Sequence, residues 1–513
     1  MSLPAGLEAQ LPALQIVVPL MAALIAALLR HPRWAWWPAT IAGFASCAIA
    51  LLLAKSAARG EVTIYALGGW IAPFGIEYRI DALNALVLVI INFASLFALV
   101  HARRSVAAEI RPERIHWLYC AWMLCLTGLA GMTITGDAFN VFVFLEISSL
   151  ASYILVASGP KRDALLASFR YLIPGSIGAT FFLIGLGLLY MQTGTLNMAD
   201  IAQRIGEGGT DRTIAAGALF VVIGIGVKAA IFPLHAWLPS AYEQAPSSVA
   251  AFLAGASTKV SLYVLMRFIF DIFGIDLAFG ALDIDLLLMV LAIASVVAGS
   301  LVAVQQEEVK RLLAWSSIAQ IGYMTLGMAL GNPAGIAASA LHLFNHALMK
   351  VALFLAIGNF VYRTGSSALG SLVGAGRGMP WTMAAFVVAG MSLVGVPLTA
   401  GFVSKWYLLA AALERDLWPI ALLILVSSVV AAIYLWRVAS AAYEPAPADS
   451  PAATIVEAPW TMLAPLLLLA LANLWFGVDP SPVLRLAEQA AVQLSVPFES
   501  AEIIAPSPLS DTN

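Results

Sequence analysis

Charge is scarce in this chain: only 11% of its 513 residues are Asp, Glu, Lys or Arg, just seven are lysine, and the net charge is −3. No basic tract is present, so there is no electrostatic footprint for nucleic acid, and neither a dinucleotide glycine fingerprint nor a P-loop occurs. The three cysteines, Cys47, Cys120 and Cys125, stand in apolar segments without CxxC spacing. That argues against a disulfide framework and against an iron–sulfur or zinc site, and leaves them as packing residues. Long polar stretches are also missing. With short loops throughout, no soluble domain large enough for a flavin or nucleotide is expected, so no cofactor is assigned and any redox chemistry would belong to a partner. The residues before the first apolar run include Glu8 but no Lys or Arg, so no cleavable signal peptide is expected.

What is abundant is apolar surface. The composition is 61% hydrophobic with a mean hydropathy of +0.92, which places the chain in lipid. About 14 segments approach the 20 residues that a helix needs to cross the hydrocarbon, predicting an all-α polytopic membrane protein. Lys and Arg in loops resist translocation, and 14 of them, Lys310 included, follow segments 1, 3, 5, 9, 11 and 13 against 8, Arg267 included, on the opposite face. This bias predicts a multi-pass protein of the cell (inner) membrane with both termini outside the cytoplasm. Asp271, Asp276, Asp283 and Asp285 make one external loop acidic.

Against this background, Lys228, Lys259, Lys350 and Lys405 sit inside apolar segments, as does Glu146. A charge at bilayer depth costs a few kcal/mol or more, about 3 on insertion scales, so such groups are expected to face a protein interior or hydrated cavity. Burial disfavours the charged form and a nearby opposite charge favours it, so a carboxylate and a movable lysine can switch proton affinity. The structural alternatives are a carboxylate that merely holds the bundle through Ser148 or Ser149, and lysines that snorkel to a surface within two turns. His342, His346 and Lys350 recur every four residues, which puts them on one helix face as a polar stripe of about 12 Å. HxxxH is also a metal-ligand spacing, but without acidic or cysteine companions no metal site is expected. His235, after Pro233, is either a titrating group near neutral pH or an interfacial loop histidine.

Pro233 follows Gly224, Gly226 and Lys228, and Pro397 and Gly401 precede Lys405. Two interrupted, lysine-bearing helices in corresponding halves point to an inverted-repeat transporter site. The predicted division is 1–116 for helices 1–3, 117–270 for the first repeat, 271–440 for the second, and 441–513 for a loop, helix 14 and a short tail.

Leu145-Glu146, Val227-Lys228-Ala229-Ala230, Pro233 to Pro239, Thr258-Lys259-Val260, His342 to Lys350 and Gly401 to Lys405 carry a family resemblance. The chain resembles the antiporter-like subunits shared by Mrp-type monovalent cation/proton antiporters and respiratory complex I. The resemblance implies two inverted five-helix repeats with discontinuous helices 7 and 12. It also implies a proton relay of Glu146 paired with Lys228, then Lys259, His342, His346, Lys350 and Lys405, with His235 as a possible relay or access group. With lysine at 405 the chain resembles the D-type subunit of Mrp antiporters, which is preferred, or the N-type subunit of complex I. The implied function is an ion-transporter subunit, not itself an enzyme, that moves protons against sodium or another monovalent cation. The alternative is a proton-pumping membrane-arm subunit of an NADH-quinone oxidoreductase. Its partners would be other subunits of such an assembly.

Overall fold

The computed structural model describes residues 5–209, 211–445 and 455–495. Twelve helices among them are long and apolar enough to span a membrane. We number the membrane helices along the chain. Helices 1 to 6 are Leu11–Leu28, Pro32–Ala57, Ala82–Glu109, Ile115–Ile134, Ala138–Ala157 and Asp163–Thr193. Helix 7 comprises 7a, Arg212–Ala229, and 7b, Leu238–Gln244; helix 8 is Ser247–Met266. Helices 9 to 11 are Ile284–Val304, Val309–Leu330 and Pro333–Thr364. Helix 12 comprises 12a, Pro380–Val394, and 12b, Ala400–Leu413; helices 13 and 14 are Trp418–Tyr443 and Trp460–Val478. Helix 10 and the paired halves of helix 12 add two to the twelve, giving the fourteen that the apolar segments predict.

Helices 3, 4, 8 and 11 are largely buried and form the centre, whereas helices 6, 9, 13 and 14 turn most of their apolar surface outward. Helix 4 packs on 5 as 9 packs on 10, helix 6 on 7 as 11 on 12, and helix 4 on 8 as 9 on 13. Close approach depends on small residues. A side chain added to Gly224 would lie 2.6 Å from the carbonyl oxygen of Gly178, so helices 6 and 7a meet backbone to backbone.

Both interrupted helices have a visible cause. Helix 7a stops where Ala230 adopts a φ of 56°, and 12a stops at Gly395, whose φ of 90° suits a residue without a side chain. Freed backbone groups inside a membrane must be satisfied by protein or water. Trp237 Nε1 donates to Val227 O at 2.9 Å and Phe232 N to Ser295 Oγ at 3.1 Å at the first break. Asn345 Nδ2 donates to Ala400 O at 2.7 Å and Gly401 N to Ser392 Oγ at 3.0 Å at the second.

The all-α chain carries a short hairpin, Thr63–Ala66 paired antiparallel with Glu77–Ile80 in the link between helices 2 and 3, where β-branched and aromatic residues cluster. Two local expectations require correction. Arg267 and Asp271, read as loop charges, are buried because helix 8 continues as a π-helical segment, Arg267–Phe273. Arg267 there bridges Asp271 at 2.6 Å and Asp81, whose carboxylate also caps helix 3. Lys310, also read as a loop charge, is buried at the start of helix 10 and donates to Ala245 O at 3.1 Å. Following helix 14, Ser481–Leu494 packs its apolar face on helices 3 and 11. The tail beyond residue 495 lies outside the described residues.

Candidate functional site

Helix 5 presents Glu146, Ser149 and Tyr153 at spacings of three and four residues, hence on one face. Helix 7a brings Lys228 against that face just before its break. Its Nζ donates to Ser149 Oγ at 2.6 Å and Tyr153 Oη at 3.1 Å, and lies 5.5 Å from the Tyr153 ring. Glu146 is within electrostatic reach but forms no ion pair with Lys228, and its Oε1 is buried without a hydrogen-bond partner. The implied Glu146–Lys228 pair is therefore a nearby, unjoined couple with a serine and a tyrosine on the lysine.

A cavity of about 10 Å³, at the lower limit for one water, touches Lys228, Ser149 and Ser152 and reaches Ser257 and Ser261 of helix 8. Residues two apart on a helix point to roughly opposite sides, so these serines lie across helix 8 from Lys259. Lys259 itself is fully buried; its Nζ donates to Ala254 O and lies within electrostatic reach of His342, His346 and Lys350. The structure thus bonds Lys228 to helix 5 and sets Lys259 on the far side of helix 8, which packs against helix 11.

Helix 11 carries the polar stripe that its four-residue spacing predicts. The rings of His342 and His346 lie parallel, 6.0 Å apart. His342 meets Ser404 Oγ at 2.8 Å and Gln320 Oε1 at 3.0 Å, while both ring nitrogens of His346 are buried and unpartnered. Lys350 donates to Leu313 O at 2.8 Å and to Ser316 Oγ on helix 10. Lys405 donates to Leu393 O and Val394 O at 3.0 Å each and to Ser428 Oγ at 2.9 Å, and lies 5.0 Å from the Tyr323 ring. The ammonium of Lys405 thereby satisfies two carbonyls freed by the helix 12 break beside Pro397. His235 is buried in the link that breaks helix 7, stacked on Phe232 and edge-on to Trp315.

No carboxylate lies within ion-pair distance of any of these four lysines among the described residues. Neutral oxygens hold them instead. Nearby ammonium groups repel, so the proton occupancies of Lys259 and Lys350, which lie within electrostatic reach of each other, are coupled. The arrangement is chemically suited to holding fewer protons than it has sites. Sequence reading named the ionisable groups and missed the side chains that seat them: Tyr153, Ser316, Gln320, Ser404 and Ser428. A signal existed for some, since Ser316 and Gln320 form their own four-residue polar spacing on helix 10. The described residues contain no group of three or more His, Cys, Asp or Glu able to hold a metal.

The profile of the NADH:quinone oxidoreductase/Mrp antiporter transmembrane family matches residues 135–431, more than half of the chain. The chain belongs to this family. It is 39% identical over 508 residues to the N subunit of the NADH-quinone oxidoreductase of Desulforudis audaxviator, covering 96% of this chain and all of the relative. It is 33% identical to the D subunit of the Na(+)/H(+) antiporter of Alkalihalophilus pseudofirmus, covering 74% of this chain and 76% of that one. Among solved structures, a chain of the Mrp complex from Dietzia sp. DQ12-45-1b superposes with a TM-score of 0.85 at 26% identity, covering 95% and 98%. This family member is a multi-pass membrane protein of the transporter-subunit type, and its relatives work beside other membrane subunits.

Proposed function

We propose that this subunit translocates protons through Glu146, Lys228, Lys259, His346, His342, Lys350 and Lys405, with His235 as a possible access group. The observation that carries the proposal is the succession of fully enclosed lysines and histidines between two interrupted helices. Lys228 stands at the end of one broken segment and Lys405 in the other, with the helix 11 stripe and Lys259 between them. Each break supplies a place where water from one membrane face reaches a lysine, and movement of one proton changes the field at the next site. A serine or tyrosine hydroxyl accepts from an ammonium and donates to an amine, so the groups seating the lysines stay satisfied in either state.

We prefer the D-type subunit of a monovalent cation/proton antiporter, in the cell inner membrane with both termini outside the cytoplasm. The D-subunit relative and the close superposition on the Mrp chain support it. On this reading the subunit itself makes and breaks no covalent bond. A second reading, a proton-pumping subunit of a quinone-reducing complex, is favoured by the 39% identity to an N-type relative. Proton flux in inverted vesicles tests the relay in both cases. Glu146→Gln and Lys228→Ala each abolish it while the complex still assembles; undiminished flux in either variant overturns the proposal. Sodium-driven exchange without respiration distinguishes the antiporter from the redox-linked assembly, in which quinone oxidoreductase activity copurifies.

A further inference from the structure

Away from the lysine line, at the arginine-rich ends of helices 2 and 3 and the start of helix 4, a cavity of about 770 Å³ opens to the surface. Its polar wall is basic: Arg33, Arg103, Arg104 and His31 line it, and no acidic residue does. None of the three arginines forms an ion pair among the described residues, so the positive charge is uncompensated. The remaining walls are aromatic and apolar. Trp34 and Trp37 are 62% and 45% exposed there, as expected of residues seated at the level of lipid headgroups.

One arginine is held in position by its surroundings. The Arg103 guanidinium lies 4.8 Å from the centre of the Trp36 ring and 5.8 Å from that of Trp37. Trp36 is itself fixed by donating Nε1–H to Leu99 O at 2.9 Å. Stacking orients the guanidinium plane but uses none of its five N–H donors, which remain available for an anion. A basic, aromatic-walled pocket between membrane helices at the interface matches an amphiphile with an anionic head and apolar tails.

We propose that this cavity binds an anionic phospholipid, with the phosphate held by Arg103 and Arg104 and the acyl chains descending along the outer faces of helices 2 and 4. A free phosphate would use the arginines but gain nothing from the tryptophans. A protein partner would have to bring its own carboxylates to three exposed arginines.

The test uses the intact complex, purified and delipidated, then titrated with phosphatidylglycerol or phosphatidylcholine and examined by native mass spectrometry. Phosphatidylglycerol is expected to bind in preference, and Arg103→Gln with Arg104→Gln to weaken it about 30-fold, each charge contributing about fivefold. Arg111→Gln with Arg114→Gln removes the same charge from the same face outside the cavity and is expected to leave binding unchanged. Arg104→Gln alone, which touches no ring stack, is expected to weaken binding about fivefold and covers the case in which the double variant fails to assemble. Equal binding of the two lipids, an equal effect of the Arg111 and Arg114 pair, or full competition by millimolar inorganic phosphate each overturns the proposal. So does the absence of bound lipid after titration of the assembled complex, which would mean that a neighbouring subunit fills the pocket.

Discussion

Lys228 Nζ donates to Ser149 Oγ at 2.6 Å, one turn along helix 5 from Glu146, and the carboxylate itself makes no ion pair with the lysine. A neutral hydroxyl in the place of a counter-ion leaves the ammonium only partly compensated. The separation matters for function, because a tightly joined buried pair would be a trap for both charges.

Ser149→Ala removes this acceptor and leaves Lys228 with the Tyr153 hydroxyl at 3.1 Å. A hydrogen bond to a charged group is worth about 1.5–3 kcal/mol. Proton flux in vesicles is expected to fall by about tenfold or more, without the complete loss expected of Lys228→Ala.

His346→Phe separates function from stability. Both ring nitrogens of His346 are buried with no hydrogen-bond partner in the protein, so an apolar ring of similar size breaks no protein hydrogen bond. Thermal unfolding of the assembled complex is expected at an equal or higher temperature, together with a large loss of proton flux.

Lys405→Glu sets a carboxylate against the carbonyl oxygens of Leu393 and Val394, which now accept from the ammonium at 3.0 Å. Oxygen would face oxygen at a helix break, with only the Ser428 hydroxyl, already donating to Ile424 O, as a nearby donor. Assembly is expected to suffer more than in Lys405→Met, which leaves those carbonyls unpaired without repulsion. Yields of intact complex by size exclusion provide the comparison.

Burial pushes the Asp81 carboxyl up, but the adjoining Arg267 guanidinium outweighs it and holds the group below the ordinary carboxylate range. The resulting stabilisation is fully present above the unfolded-state value of about 3.9 and is lost as pH falls through the lower folded value. Asp81→Asn is expected to abolish this acid dependence and, by leaving Arg267 with Asp271 alone, to destabilise the complex by about 3–5 kcal/mol. Denaturation between pH 5 and 2 measures the first effect. Proton flux per assembled complex is expected to be unchanged, because the Asp81 cluster lies apart from the lysine line.

Helix existence was readable because bilayer thickness imposes one length on every span, and both interruptions were readable because proline and glycine act locally. The polar stripe of His342, His346 and Lys350 was legible for the same reason, since helical pitch alone sets it. Arg267, Asp271 and Lys310 were misread as loop charges because their burial depends on Asp81, Asn84 and Ala245, which are remote in sequence.

Composition and spacing by themselves determined that the chain lives in lipid, which helices break, and that Lys228, Lys259, Lys350 and Lys405 are buried. Only the tertiary structure decided that Lys228 rests on Ser149 and Tyr153, that helix 8 separates Lys228 from Lys259, and that Lys405 closes the helix 12 break. Hydropathy and helical periodicity act within one segment, whereas the partner of a buried charge is chosen by packing between segments far apart in the chain.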